Sequence, residues 1–175
     1  CALPILFVYV YEHREEFYQS IGIEEVKRKI AGVWARGAYS FVQEKDGNSL
    51  LDEKGFKKYV KRLKKADVQG KEAIIAGAKM SNAEKTGDWK TYISLGNERL
   101  KAGKVGDMEL YNWGLRVNRL CKDAALRMQA SEWFDAAVEA AAKKEAEGKT
   151  GMMSFKTYFE KLATDLKAPW KENKR

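Results

Sequence analysis

Apolar residues recur along most of the chain at the three- and four-residue spacings of an amphipathic helix. The clearest stripe lies within residues 24–34 and consists of Val26, Ile30, Val33 and Trp34. Similar stripes predict helices over residues 7–20, 52–66, 71–85, 89–100, 107–121 and 154–166. The hydrophobic pattern therefore predicts about seven helices, and strand-like runs are scarce.

Proline and glycine mark the ends of these helices. The two prolines are Pro4 and Pro169, so the strongest helix breaker is absent from the whole interior of the chain. Glycine-containing turns are predicted at residues 20–22, 86–88 and 102–106. Helices joined by such turns pack as hairpins, and we predict an all-α fold of stacked antiparallel helical hairpins.

Residues 43–50 separate two periodic regions. Asp46, Gly47, Asn48 and Ser49 are residues typical of turns, so this segment is predicted to be an exposed, flexible loop. It would divide an N-terminal helical hairpin over residues 1–42 from a hairpin array over residues 51–168. Asp52 and Asp107 are each placed to cap a following helix.

The proline-free run over residues 107–147 would form a single helix about 60 Å long, which is unusual in a globular domain. A break is expected at Lys122-Asp123 or at Ala130-Ser131, because Asp and Ser are favoured as helix N-caps.

Side chains suited to catalysis or metal binding are few and scattered. His13, the only histidine, lies among charged neighbours and is predicted to be an exposed helical residue. Cys121 continues an apolar stripe and is predicted to be a small buried hydrophobe rather than a nucleophile. Glycines fall singly at turns, and adjacent acids such as Glu24-Glu25 point in different directions on a helix. The sequence predicts no catalytic residue, no metal site and no cofactor, and therefore no enzyme.

Positive charge is the main functional signal. The chain has a net charge of +8, and residues 57–65 form a basic run, so a nucleic-acid-binding helical domain is the alternative function. The run is also an ordinary amphipathic helix in which lysine outnumbers arginine, and we favour a solvated face. No apolar run is long enough to span a bilayer. Attachment of the basic helix to a membrane surface would need its apolar side, which is expected to pack against the rest of the chain.

Large aromatic residues fall at helical spacing, which indicates core packing more strongly than a ligand pocket or a peptide groove. These residues are Trp34, Trp89, Tyr92, Trp113, Trp133 and Phe134.

Two consecutive helices share a motif in which a bulky residue and a glycine follow a large residue by one turn. The motifs are Tyr92-x-x-Leu95-Gly96 and Leu110-x-x-Trp113-Gly114. This resembles the first-helix signature of tetratricopeptide repeats, in which the glycine admits the partner helix, although the two motifs are separated by about half of the 34-residue repeat. The resemblance implies a tetratricopeptide-like array.

A wider resemblance rests on five segments. They are residues 17–30 with Gly22-Ile23-Glu24-Glu25-Val26, residues 110–113, Cys121-Lys122-Asp123, Ala130-Ser131-Glu132-Trp133, and Ala136-Ala137-Val138-Glu139. Together they resemble the helical region that follows the thioredoxin-like domain in certain bacterial thioredoxin-family proteins. The resemblance implies a non-catalytic accessory or protein-interaction domain, a thioredoxin-like protein partner, and a periplasmic or cell-envelope location. It assigns no functional residue, and the partner-binding residues stay unknown.

The two ends carry separate expectations. The sequence begins with Cys1 rather than methionine, so a fragment boundary is expected at residues 1–5. The thioredoxin-family resemblance implies that a redox domain lies upstream of it. The lysine-rich residues 169–175 are predicted to be a disordered basic tail.

Overall fold

A computed structural model describes residues 5–103, 105–148 and 155–171 of the chain. Within these residues there are nine helices and one two-stranded sheet, which confirms the all-α fold class. There are more helices than the seven predicted, in part because the predicted helix over residues 7–20 is broken at His13. The chain forms two compact units, Cys1–Asp88 and Trp89–Arg175, so the division falls at residues 88–89 rather than at residues 43–50.

The described part of the first unit, residues 5–88, contains five helices and the sheet. Its elements are α1 (Ile5–Glu12), α2 (Arg14–Ile21), α3 (Ile23–Gly37), β1 (Val42–Lys45), β2 (Asn48–Leu51), α4 (Glu53–Lys65) and α5 (Lys71–Thr86). The predicted stripe of α3 is confirmed at Val26, Ile30 and Trp34, which are buried. These side chains pack in one core with residues of α4 and α5.

A β-hairpin occupies the segment that was predicted to be a loop. Strands β1 and β2 pair antiparallel, with Val42 opposite Leu51 and Lys45 opposite Asn48. Asp46 and Gly47 form the connection with φ angles of 52° and 76°. A two-residue turn in which both residues have positive φ has a backbone twist that matches the twist of the flanking strands. Asp-Gly is a strong sequence signal for this kind of turn. The short, mostly exposed strands have too little apolar alternation to be recognised from the sequence.

The predicted cap of α4 is confirmed. The Asp52 carboxylate accepts a hydrogen bond of 2.9 Å from the backbone N–H of Gly55. The corresponding prediction for Asp107 is wrong, because Gly106 occupies the cap position without a side-chain bond. Asp107 lies instead in the first turn, where a carboxylate is favoured by the helix dipole.

Among its described residues, the second unit contains four helices. They are α6 (Trp89–Lys101), α7 (Asp107–Leu120), α8 (Ala124–Ala146) and α9 (Lys156–Lys167). The expected break in the run over residues 107–147 is found at Cys121–Asp123, where Asp123 caps α8 by accepting a 2.9 Å bond from the N–H of Leu126. Ser131, the other expected site, is buried inside α8.

Both motif glycines lie against rings of α8. A Cβ added at Gly96 would be 2.7 Å from Trp133 Cη2, and one at Gly114 would be 2.3 Å from Phe134 Cζ. Glycine is therefore required for close helix packing at both positions. The tetratricopeptide-like repeat itself stays a prediction.

Several sequence predictions concern residues at the edges of the described ranges. The fragment boundary at residues 1–5 falls mainly on residues 1–4, which are outside those ranges, as is the predicted helix start at residue 154. The predicted disordered tail is described only to residue 171. Within that part, Trp170 is half-buried, and Lys122 Nζ lies 4.8 Å from the centre of its ring.

Candidate functional site

Helix α4 has one buried face and one basic face. Phe56, Tyr59 and Leu63 are buried in the core of the first unit. The basic face, defined here as the seven exposed lysine and arginine side chains of α4, consists of Lys54, Lys57, Lys58, Lys61, Arg62, Lys64 and Lys65. The helix contains one acidic residue, Glu53, so most of its charge is uncompensated along its own length.

Contacts at the start, the middle and the end of α4 hold it in place. Asp52 caps the start, and the Tyr59 hydroxyl donates a hydrogen bond to the carbonyl oxygen of Trp34. The Tyr59 ring lies 5.3 Å from the Phe41 ring, measured between centroids. At the end, Lys71 Nζ donates bonds of 3.1 Å to the carbonyl oxygens of Lys64 and Ala66. The basic face is therefore carried by a fixed helix.

Few carboxylates neutralise this face. Lys57 Nζ lies 3.2 Å from Glu53 Oε2, and both side chains are mostly exposed, so water screens this pair. The other six basic side chains of α4 form no ion pair with any residue that the structure describes. Outside α4, the first unit contains nine basic and twelve acidic residues. The positive charge of this unit is therefore concentrated on one helix.

A shallow cavity of about 340 Å³ lies near the end of α4. Its lining includes Lys27, Asp67 and Lys71. Lys27 Nζ lies 3.4 Å from Glu24 Oε1, and Lys71 Nζ is bonded to the two carbonyl oxygens at the end of α4. Because its two lysines already have partners, this cavity is a weaker anion site than the basic face.

Four of the five large aromatic residues that the sequence assigned to packing in the second unit are buried: Tyr92, Trp113, Trp133 and Phe134. Trp113 and Trp133 are 3% and 5% exposed, and their ring centroids are 6.0 Å apart. Trp133 Nε1 donates a 2.5 Å bond to Asn97 Oδ1, and the Arg99 guanidinium lies 4.8 Å from the centre of the Trp113 ring. Trp89 is half-buried. In these contacts the Trp113 and Trp133 rings pack against other side chains of the second unit.

His13 and Cys121 belong to different units. His13 lies in the turn between α1 and α2 rather than on a helix, with its ring stacked on Tyr9 and its Nδ1 2.9 Å from Glu16 Oε1. Cys121 is fully buried, and burial raises the pKa of its thiol. The described residues contain no group of three histidine, cysteine or acidic side chains able to hold a metal ion.

One residue with a distinctive environment was missed by sequence reasoning. Arg127 is 2% exposed, and burial lowers the pKa of its guanidinium. Its Nη1 donates to the Asn118 carbonyl oxygen at 2.9 Å, and its Nη2 donates to the Asp165 carbonyl oxygen at 2.6 Å. One face of α8 carries Arg127, Ala130 and Phe134. A charged residue within this apolar stripe is the sequence signal that could have identified Arg127 as a buried polar residue.

Comparison of the chain with protein-family models, curated proteins and solved structures finds no match. Among the described residues, no helix combines the length and apolar character needed to cross a bilayer. The basic face of α4 is the candidate functional site, on the strength of its charge and its fixed position.

Proposed function

We propose that this chain is a non-catalytic helical interaction module that holds an anionic macromolecular partner against the basic face of α4. The observation that carries this proposal is the set of six exposed basic side chains of α4 that form no ion pair among the described residues. Cations concentrated on one surface raise the local concentration of an anionic partner and speed its association.

Two features of α4 favour an interface over a solvated helix face. Solvated helices commonly alternate positive and negative side chains, which stabilise each other at i, i+4 spacing. In α4 one such pair is found, between Glu53 and Lys57. The remaining like charges repel one another at a cost in stability, and an anionic partner would remove that repulsion.

The proposal is tested with two variants of equal charge. In the first, Lys54, Lys58, Lys61 and Lys65 of the basic face are replaced by glutamine. In the matched control, Lys79, Lys90, Lys101 and Lys161 are replaced by glutamine; these four lysines are also exposed. Binding of fluorescent poly-glutamate and of a nucleic-acid duplex is measured by anisotropy at low salt.

We expect the α4 variant to bind at least one of these probes at least about tenfold more weakly than the unchanged chain, because lost cationic contacts reduce the counterions released on binding. The control should change affinity by less than about threefold, since it alters the net charge equally but leaves α4 intact. Equal losses in both variants, or no binding of either probe, would refute the proposal.

The thioredoxin-family resemblance supports a narrower form of the proposal, in which the module is an accessory to a thioredoxin-like domain and the partner is a protein. The gene sequence upstream of the codon for Cys1 tests this form. An encoded thioredoxin-like domain there supports it, and an open reading frame that starts near this codon without such a domain contradicts it.

A further inference from the structure

The order of the basic residues along α4 limits what can lie against this helix. Lys54, Lys58, Lys61 and Lys65 are separated by four, three and four residues, so they form one stripe along the helix. The stripe is about 16 Å long at 1.5 Å per residue. One strand of a nucleic-acid duplex advances about 3.4 Å per phosphate, so the stripe spans about five consecutive phosphates.

The basic face has one side chain, Arg62, of the kinds that mainly read base edges. The α4 sequence, EKGFKKYVKRLKK, contains no asparagine, glutamine, serine or threonine, and Arg62 is its only guanidinium. Specific recognition of base edges depends mainly on arginine, asparagine and glutamine, whereas lysine acts as a point charge towards phosphates. Contacts made by this face would therefore be with the sugar–phosphate backbone.

Other anionic surfaces fit this helix less well. Single-stranded nucleic acids are bound largely by stacking on exposed aromatic rings, and both aromatic residues of α4, Phe56 and Tyr59, are buried. Membrane-surface helices insert apolar side chains, but the apolar side of α4 is packed in the core. Protein interfaces are depleted in lysine and enriched in arginine, the reverse of the composition of α4.

We infer that the basic face of α4 binds the phosphate backbone of double-stranded DNA without reading its sequence. This inference rests on the proposed function and names the partner of the same surface. An α-helix, at about 10–12 Å in diameter, has the width of the major groove, which is about 12 Å. The Lys54–Lys65 stripe supplies the contacts to the phosphates.

The experiment measures anisotropy of the full chain with four probes. Two are DNA duplexes of about 20 base pairs with unrelated sequences, the third is a single DNA strand of the same length, and the fourth is poly-glutamate. Each titration is repeated between about 50 and 200 mM salt, the range in which the release of counterions dominates the salt dependence. Circular dichroism verifies that the variants keep their helical content.

We expect both duplexes to bind equally within about twofold and more tightly than the single strand or poly-glutamate. The slope of log K against log salt should be about −4 to −5, at roughly −0.9 for each phosphate contacted. The variant with glutamine at Lys54, Lys58, Lys61 and Lys65 should lose about 3 to 4 of that slope. The control variant at Lys79, Lys90, Lys101 and Lys161 should keep it.

The outcomes separate this inference from the proposed function. Tighter binding of poly-glutamate or of the single strand than of either duplex overturns the inference and leaves the interaction module standing. A more than about tenfold preference for one duplex sequence overturns backbone-only binding. If none of the four probes binds, or if the control variant loses as much slope as the α4 variant, both proposals fail.

Discussion

At the scale of single residues, Gly114 shows how one missing side chain permits helix packing. A Cβ at this position would be 2.3 Å from Phe134 Cζ and 3.0 Å from Leu162 Cδ1. Phe134 is fully buried and its ring packs 5.7 Å from that of Phe159, so the ring has little room to move. We predict that Gly114→Ala lowers the free energy of unfolding by about 1–3 kcal/mol, as overpacking does elsewhere.

Chemical denaturation followed by circular dichroism measures this change, with Gly77→Ala as the control. Gly77 also lies within a helix, but an added Cβ would be 3.8 Å from the nearest atom, the Tyr39 hydroxyl oxygen. Alanine should stabilise that site by up to about 1 kcal/mol, because it is the better helix former. Stabilisation by Gly114→Ala as well would contradict the close contact between α7 and α8.

Tyr59 provides a prediction about pH. Burial raises the pKa of its hydroxyl from the ordinary 10.0 to about 12, so the folded chain holds this proton more tightly than the unfolded chain. The resulting stabilisation is complete below the unfolded pKa of 10.0 and is lost as the pH rises through about 12. The loss is at most about 1.4 kcal/mol for each pH unit and is smaller near each pKa, so Tyr59 should lose about 2 kcal/mol of stabilisation over this interval.

The comparison with Tyr59→Phe isolates this effect, because other titrating groups are common to both proteins. Below the unfolded pKa of 10.0 the unchanged chain should be the more stable, since its hydroxyl bonds to the carbonyl oxygen of Trp34. Urea denaturation at a series of pH values should show this advantage shrinking towards pH 12. An advantage that stays constant across the series would refute the pKa assignment.

At the scale of elements, Arg127 joins three helices. It lies near the start of α8 and donates hydrogen bonds to backbone carbonyls near the ends of α7 and α9. Carbonyls in the last turn of a helix lack hydrogen-bond partners within the helix and carry the negative end of its dipole. A buried guanidinium donates hydrogen bonds to these carbonyls and places a positive charge beside them. We predict that Arg127→Met costs about 2–4 kcal/mol, because it leaves buried carbonyls without donors.

The matched control is Arg119→Met, which removes an exposed guanidinium from α7. Its effect on the free energy of unfolding should stay within about 0.5 kcal/mol, as is usual for surface positions. Thermal and urea denaturation of both variants measure the difference. Similar effects of the two substitutions would show that Arg127 does not stabilise the junction between the helices.

The elements also show where sequence reasoning succeeds and where it stops. The stripe at Val26, Ile30 and Trp34 predicted α3 because burial of one face determines that helix. The hairpin at residues 42–51 was missed because its strands bury little, so local turn chemistry rather than periodicity determines it. For Arg127, the sequence could not identify the acceptors, because the Asp165 carbonyl lies 38 positions further along the chain.

At the scale of the whole molecule, charge is distributed differently from what the sequence alone suggested. Acidic residues are interspersed along the chain, which favoured a solvated face for residues 57–65. Among the described residues, Glu53 is the one acidic residue whose side chain forms an ion pair with the basic face of α4, while the Asp52 carboxylate is bonded to the backbone N–H of Gly55. Lys54 also joins the exposed basic residues at the start of the helix. The sequence identified the basic run, but only tertiary placement shows that it is not neutralised.

The division into two compact units leads to a prediction about folding. The first unit buries its own core around Trp34, Tyr59 and Leu63, and the second buries rings such as Trp113 and Phe134. Units of this size can bury enough surface to fold alone. Residues 1–88 and 89–175, expressed separately, should each give a helical circular dichroism spectrum and a cooperative urea transition. Gly114→Ala should lower the midpoint of the 89–175 fragment. If either fragment unfolds without cooperativity, its core depends on the rest of the chain.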